Sequence, residues 1–423
     1  MEPNQAGNSL GKDAWRKLRR NRAAMGSLVW LVVIGLLAAV TPLLPLQAPD
    51  TVQMAVQYTE PTLSPVWLHT FNLDTNAIAE TPALVEQYQE ELVTLQGIAR
   101  EKEQELDQAA RQLPGDTSVE ERAESLAPYQ VPFDEAYELA RRKHAQIEDT
   151  IQAPYRKLGF APLNGISRQF VKWRYAIFGN RSLNSICGRD VLGRDLLSRV
   201  FWGARVSLVV GLVATFVSLV IGVTYGAVAG YFGGWIDDAM MRFVDVLYSV
   251  PFIFVVIFII TILGEESVAR ELAYWGIGRI TIFFVVVGAI YWLTMSRVVR
   301  GQVISLKNEP FIEAARSLGA GHARIIFRHI LPNVFSVVLV YLTLTIPKVM
   351  LFEAFLSFLG LGVEPPNVSW GLLANEGIKV MSPVKIYWWL ILFPSLALGS
   401  TLLALNLLGD GLRDALDPKL RKE

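Results

Sequence analysis

The stretch NEPFIEAARSLGAGHARIIFRHILPN, residues 308–333, is too polar to span a bilayer, yet long apolar runs flank it on both sides. It is expected to face water as a loop with helical structure of its own. Asn308 is placed to cap a helix, Pro310 suits a first turn where a missing N–H costs nothing, and Gly319 supplies a left-handed stop. This punctuation predicts a short helix of about three turns. The run from Ala323 to Leu331 then sets Ile326, Phe327 and Ile330 on one side and Arg324 and Arg328 on the other, and should end at Pro332. A helix held between two spans either rests on the membrane surface or is gripped by a partner, and residue pattern alone leaves both open.

Outward from this loop the chain reads as an all-α, polytopic membrane protein. Of its 423 residues 52% are hydrophobic and 18% charged, and the apolar residues come in blocks; mean hydropathy is +0.35. Blocks of about 20 residues or more are expected to span. They lie at 23–46, 204–229, 239–264, 278–298, 333–359 and 385–409, which makes six transmembrane helices. The first follows Arg16, Lys17, Arg19, Arg20 and Arg22 and lacks a small-x-small cleavage site, so it reads as an uncleaved anchor. Arg297, Arg300, Lys307, Arg316, Arg324 and Arg328 before the fifth span, and Arg413, Lys419, Arg421 and Lys422 after the sixth, fall on the side of that basic N-terminus. The positive-inside rule places all of these in the cytoplasm.

The chain therefore divides into a cytoplasmic tail (1–22), a first transmembrane helix (23–46), an extracytoplasmic region (47–203), a five-helix core (204–409) holding the polar loop 308–332, and a cytoplasmic tail (410–423). Within the outer region Leu84, Tyr88, Leu92, Leu95, Ile98 and Leu106 recur at helical spacing between Pro82 and Leu113, and Pro114 and Gly115 break the pattern. A second stretch, from Phe133 to Lys157, carries Phe133, Tyr137 and Ile147 on a similar stripe. Together they predict a helical hairpin inserted between the first two spans, at about residues 75–160. It is either a solvated spacer or a docking element.

Resident chemistry is absent from the pattern. Cys187 is the only cysteine, which excludes an intrachain disulfide and a cysteine zinc site. The nearest approach to a phosphate-binding loop, Gly7 to Asp13, is one residue short and ends in Asp. His69, His144, His322 and His329 are scattered, with no H-E-x-x-H and no G-x-S-x-G to support a hydrolase. No cofactor, metal, catalytic residue or nucleic-acid partner is expected; formal net charge is zero, but the basic residues are unevenly placed, so the balance itself says little about nucleic acid. Ionisable residues inside spans are costly unless paired or facing a cavity. Glu353 near Lys348 and Asp245 near Arg242 are either structural pairs or contacts along a path, while Arg199 and Arg205 are expected at the interface. Gly211, Gly222, Gly226 and Gly230 suit close helix packing, and Tyr248 to Pro251 is placed to kink the third span.

Glu313-Ala314-Ala315, three residues, Gly319 and then Ile330-Leu331-Pro332 resemble the EAA loop of ABC-importer permeases. The blocks GRDVLGRDLLSRVFWGARVSL (188–208), GYFGGWIDDAMMR (230–242), RHILPN (328–333), FEAFLSFLGLGVEPPNVSWG (352–371) and GDGLRDALDPK (409–419) resemble the oligopeptide and dipeptide branch, specifically its C-type subunit. The resemblance implies a bacterial inner-membrane permease subunit forming half of a translocation pathway. Its implied partners are a B-type second permease, two cytoplasmic ATP-binding subunits that hydrolyse ATP, an extracytoplasmic substrate-binding protein and membrane lipid. It implies coupling through Glu313, Ala314, Ala315, Gly319, Ile330, Leu331 and Pro332. Asp245, Ser249, Pro251 and Glu353 are the candidate pathway residues. Relatives in this branch also carry nickel or sugars, so peptide is one of several substrate classes. Three departures stand out: Gly188-Arg189-Asp190 replaces the usual Gly-Thr-Asp, His329 takes an apolar position, and the outer insertion is far longer than usual. Residue pattern alone also admits a membrane-anchored sensor or assembly protein that uses the outer hairpin as receptor; a self-contained secondary transporter would need paired repeats of broken helices, which the six spans lack. Glu313 itself is open to two roles, compensation of the helix dipole or contact with a partner cation.

Overall fold

In the computed structural model, residues 10–416 are described apart from residue 63, residues 115 and 116, and, between 264 and 278, all but 265, 268 and 272. Gly7, Gly115, Lys419, Arg421 and Lys422 lie outside the described residues. Thirteen helices are described: α1 (Leu10–Arg20), α2 (Arg22–Val40), α3 (Thr75–Gln112), α4 (Val119–Arg156), α5 (Gly165–Phe178), α6 (Leu196–Phe232), α7 (Gly234–Ser249), α8 (Phe252–Leu263), α9 (Arg279–Leu306), α10 (Pro310–Ser317), α11 (His322–Phe358), α12 (Trp370–Lys379) and α13 (Trp389–Leu416). The strands are β1 (Trp67–Leu68) and β2 (Ser182–Leu183), which pair antiparallel with Trp67 opposite Leu183.

The stretches Arg22–Leu43, Leu196–Phe232, Thr281–Leu306, His322–Phe358 and Trp389–Leu416 are long and apolar enough to cross a membrane, five among the described residues, and the pair Gly234–Ser249 and Ile253–Leu263 makes six if counted as one span. The expected span 239–264 is therefore corrected. It is two helices meeting at 85°, with Pro251 at the break, where a ring without an N–H cannot continue the helical ladder. The second span begins earlier than 204, because Asp195 caps α6 by accepting the Leu197 N–H at 2.9 Å. The last span starts at Trp389 and runs on to Leu416.

α6 and α9 approach closely, and glycines explain how. A side chain at Gly222 would meet Met295 and the Trp292 carbonyl, one at Gly226 the Ser296 carbonyl, and one at Gly230 the Arg300 carbonyl and Val303. Gly211 lies against Met350 of α11. Backbones approach because these Cβ atoms are missing.

α3 and α4 form the antiparallel hairpin. A 38-residue helix is about 57 Å long at 1.5 Å per residue. Ala99 on α3 and Ala136, Ala140 and Ile147 on α4 are apolar residues buried along the hairpin's length. Lys143 crosses the hairpin to Glu91 at 2.6 Å, its ammonium lying 4.6 Å from the centre of the Tyr88 ring. Leu84 and Ile98, expected on the seam, are exposed. α4 starts at Val119, well before Phe133, because Ser118 and Glu121 form a reciprocal capping box. Pro128 and Pro132 lie inside α4; most residues around them are exposed, so the carbonyls that a proline ring leaves unbonded are open to water. At the hairpin base Tyr155, Phe160, Leu163 and Val171 pack on Phe71 and Leu73.

Candidate functional site

α10 is shorter than the sequence pattern predicts, eight residues, and Glu309 rather than Asn308 stands at its N-cap. Pro310 takes the first helical position, and Gly319 adopts φ +81°, the left-handed stop expected of it. The helix has two unlike faces. Ile312 and Ala315 are buried, and Ile312 belongs to a core shared with Tyr231, Val303, Ile325, Ile326 and Ile330. On the other side Phe311, Glu313 and Ala314 are exposed, and Leu318, at the C-cap, is 88% exposed. Phe311, Ala314 and Leu318 are spaced i, i+3 and i+7, which gives one apolar ridge beside the Glu313 carboxylate.

Several bonds fix the buried face. The Tyr231 hydroxyl lies 2.9 Å from His322 Nδ1, and the Arg316 guanidinium sits 5.5 Å from the centre of the Tyr231 ring. One turn into α7, Asp237 accepts from Arg300 Nε at 2.5 Å and from its Nη2 at 2.6 Å, a two-pronged pair tying α7 to α9. After Gly319 the chain does not stop at Pro332 as expected. Residues Ile325–Ile330 form a π-helical turn, and the Leu331 N–H reaches back to the Ile326 carbonyl. The wider turn shifts the bonding ladder just ahead of Pro332, whose missing N–H would otherwise break it. Ile330 is buried and Leu331 half-buried, while Pro332 is exposed. Phe327, expected beside Ile326 and Ile330, points outward with Arg324 and Arg328. Of the seven loop residues singled out by sequence, Glu313, Ala314, Gly319 and Pro332 are on the surface; Ala315 and Ile330 pack into the chain's own core.

The pathway candidates separate into two places. Asp245 pairs with Arg297 Nη2 at 2.6 Å, not with Arg242, and Ser249 and Pro251 are exposed nearby at the α7–α8 break. Glu353 is fully buried in α11 and accepts from Ser357 Oγ at 2.7 Å, whereas Lys348 is exposed, so that expected pair is absent. On the side of the bundle away from α10, a cavity of about 640 Å³ opens between α8, the start of α9 and the turn after α11, lined by Thr261, Phe283, Gly362 and Asn367 among others.

Near that same end lies a cluster the sequence did not reveal. Arg199, expected at the interface, is 1% exposed; its Nη1 bonds Asp190 at 2.7 Å and its Nη2 bonds Glu376 of α12 at 3.2 Å. Arg194 joins them, donating to Asp190 at 2.7 Å and to Asp50 at 2.8 Å. Burial pulls Arg194 toward deprotonation, but Asp190, Glu376 and Asp50 outweigh it and hold its pKa above the ordinary value. Arg189, where the resembling family has Thr, reaches the Gly193 carbonyl at 2.7 Å and Gln53 at 2.9 Å. Arg205 bonds Ser167 at 2.7 Å and lies over the Trp202 ring. The missed surface residues, Phe311 and Leu318, carried a readable signal in their i, i+7 spacing about Ala314; the cluster carried none, since its bonded partners are up to 182 residues apart.

Residues 222–422 match the family described as "Binding-protein-dependent transport system inner membrane component", and residues 9–64 match "N-terminal TM domain of oligopeptide transport permease C". The hairpin lies between the two matched ranges. The chain is 47% identical over 234 residues to the oligopeptide transport system permease protein OppC of Haemophilus influenzae, covering 55% of this chain and 70% of that protein. It is 44% identical over 235 residues to the dipeptide transport system permease protein DppC of Bacillus subtilis, covering 56% and 69%. It is 43% identical over 235 residues to the glutathione transport system permease protein GsiD of Pectobacterium atrosepticum, covering 55% and 72%.

Proposed function

The chain belongs to the family of binding-protein-dependent transport system inner membrane components, and from that premise we propose that it forms half of the translocation path of an ATP-driven importer of oligopeptides or dipeptides. The observation that carries the coupling part is the two-faced α10. One face is fixed to α6, α9 and α11 through Ile312, with Ala315 buried on the same side and the Tyr231–His322 bond tying α6 to α11, while the other offers Phe311, Ala314, Leu318 and Glu313 outward. That is the form required of a part through which a separate ATP-binding subunit moves the spans. Glu313, Ala314 and the Gly319 turn make the contact; Ala315, Ile330, Leu331 and Pro332 hold its shape. The basic residues flanking the loop support a cytoplasmic loop and cytoplasmic termini, with the hairpin outside.

Peptide as the substrate class is supported by the relatives, whose names concern oligopeptides, dipeptides and glutathione. A second permease completes the path, two ATP-binding subunits supply the energy, and an external binding protein delivers the cargo. Asp245, Ser249 and Pro251 line the path, with Glu353 supporting it from within α11. The test is Glu313→Arg and, separately, Gly319→Pro. Each is expected to abolish ATP-driven peptide uptake while the chain still inserts and reaches normal levels; unchanged uptake in Glu313→Arg refutes the docking role.

A further inference from the structure

α7 has three sides. Asp237 and Val244 are buried against α6 and α9. Trp235, Phe243 and Val246 are exposed, an apolar side suited to lipid or to another apolar surface. Asp238, Arg242, Asp245 and Ser249 are exposed too, and at spacings i, i+4, i+7 and i+11 they fall on one line along the helix. α9 continues this polar surface with Thr294 and Arg297. The two helices are joined along it: Asp237 to Arg300, Asp245 to Arg297, and the Tyr248 hydroxyl to Thr294 Oγ1 at 2.5 Å. From Asp237 to Tyr248 α7 advances about 17 Å while α9 retreats about 9 Å, so α7 climbs obliquely from the α10 end into the bundle.

The Asp245–Arg297 pair is the anomaly. Its side chains are 65% and 44% exposed, yet both belong to segments apolar enough to span. An open ion pair facing hydrocarbon is disfavoured, and ionisable residues in spans face the bundle interior or a water-filled cavity. The signs along the surface alternate: Asp238, Arg242, Asp245, Arg297. Paths for single-sign ions are lined by charges of the opposite sign, and a wall carrying both signs suits neither a metal cation nor an anion. It does suit a cargo with an ammonium at one end and a carboxylate at the other.

We infer that the polar line of α7, with Thr294 and Arg297 of α9, is one wall of the translocation path, and that Asp245 and Arg297 exchange their mutual bond for the amino and carboxyl ends of a zwitterionic peptide. This rests on the importer reading above and specifies the cargo that the wall accepts. The exchange conserves charge pairing, because each side chain trades one charged partner for another of the same sign.

The experiment uses the assembled transporter in cells, in a Cys187→Ala background. Ser249→Cys and Thr294→Cys are expected to react with a small hydrophilic methanethiosulfonate, while Val246→Cys, on the apolar side, does not. Arg297→Gln is expected to raise KM for a free dipeptide on the order of tenfold, the scale of one charge-assisted hydrogen bond, without affecting its C-amidated form. Asp245→Asn should do the same for the free dipeptide relative to its N-acetylated form. If Ser249→Cys and Thr294→Cys label in the isolated chain but are shielded in the complex, the surface is a subunit interface and the proposal is overturned. Labelling with equal losses for free and end-blocked peptides also overturns it and leaves the importer reading standing. A parent complex that takes up no peptide overturns that reading, and this one with it.

Discussion

Tyr231 at the end of α6 and His322 at the start of α11 share a hydrogen bond of 2.9 Å, although 91 residues separate them. The bond closes the gap between the helix before α7 and the helix after α10. Tyr231→Phe removes it with little change in volume, at a net cost of about 1 kcal/mol. The expected outcome is several-fold slower ATP-driven uptake with the ATP-binding subunits still attached, measured as initial uptake rate alongside co-purification. Loss of attachment would assign the bond to docking instead.

Leu318 and Phe311 are exposed in the chain by itself and are expected to be covered in the complex. Leu318→Asp should leave the melting temperature of the isolated chain within about 1–2 °C, as exposed positions away from special features generally do. In the assembled transporter it should release the ATP-binding subunits, with a loss of 2 kcal/mol or more typical of a central contact. Retention of those subunits in a pull-down would contradict the ridge.

Gly222→Leu and Gly226→Leu should destabilise the α6–α9 pair by about 1–3 kcal/mol each, the usual cost of overpacking, or more if the helices cannot part. The check is thermal unfolding in mild detergent. Gly35→Leu is the control, since nothing lies within 4 Å of a side chain there.

Cys187 is buried beside Asp195, and burial followed by that carboxylate pushes its thiol from 9.0 to about 12. At pH 8 only ~10⁻⁴ of it is thiolate, so it should not react with maleimide until the protein unfolds. The proton is held more tightly folded than unfolded. Stability from this group is therefore present below the ordinary thiol value and is lost as pH rises through about 12. Between those values the parent should lose more stability than Cys187→Ala; parallel pH profiles would rule this out.

In the charged cluster, Arg199→Met leaves Asp190 and Glu376 with Arg194 as their one remaining cation and should cost about 3 kcal/mol, the low end of the scale for breaking a buried ion pair from one side. The hairpin should behave in the opposite way. Excising residues 86–148 and joining the stubs with a short Gly-Ser link leaves the Tyr155 and Phe160 base intact, and the core should still insert and melt normally. A cysteine at the exposed Gln104 should react with an impermeant reagent in intact spheroplasts.

Much of this architecture was legible because hydrophobic blocks and helical periodicity are local. The spans, the hairpin and the Gly319 turn could be read from residues within a few turns of each other. What escaped depended on distant partners or on compensation. Arg199 looks interfacial until Glu376, 177 residues later, is brought beside it. The second hairpin helix was expected from Phe133, yet it begins at Val119 with Pro128 and Pro132 inside it, because exposed carbonyls can be satisfied by water. Pro332 looked like an end, yet a π turn ahead of it removes the conflict. In the loop, the face that Ala315 takes was not decidable, because Ala suits a surface and a tight core equally well.

The clamp beneath α10 has a mechanical consequence. Ile312 is seated among residues of α6, α9 and α11 at once, so a load on the outer ridge cannot be absorbed by one helix bending alone. It is delivered as torque to three spans together, with the left-handed turn at Gly319 setting the angle at which the ridge meets that load.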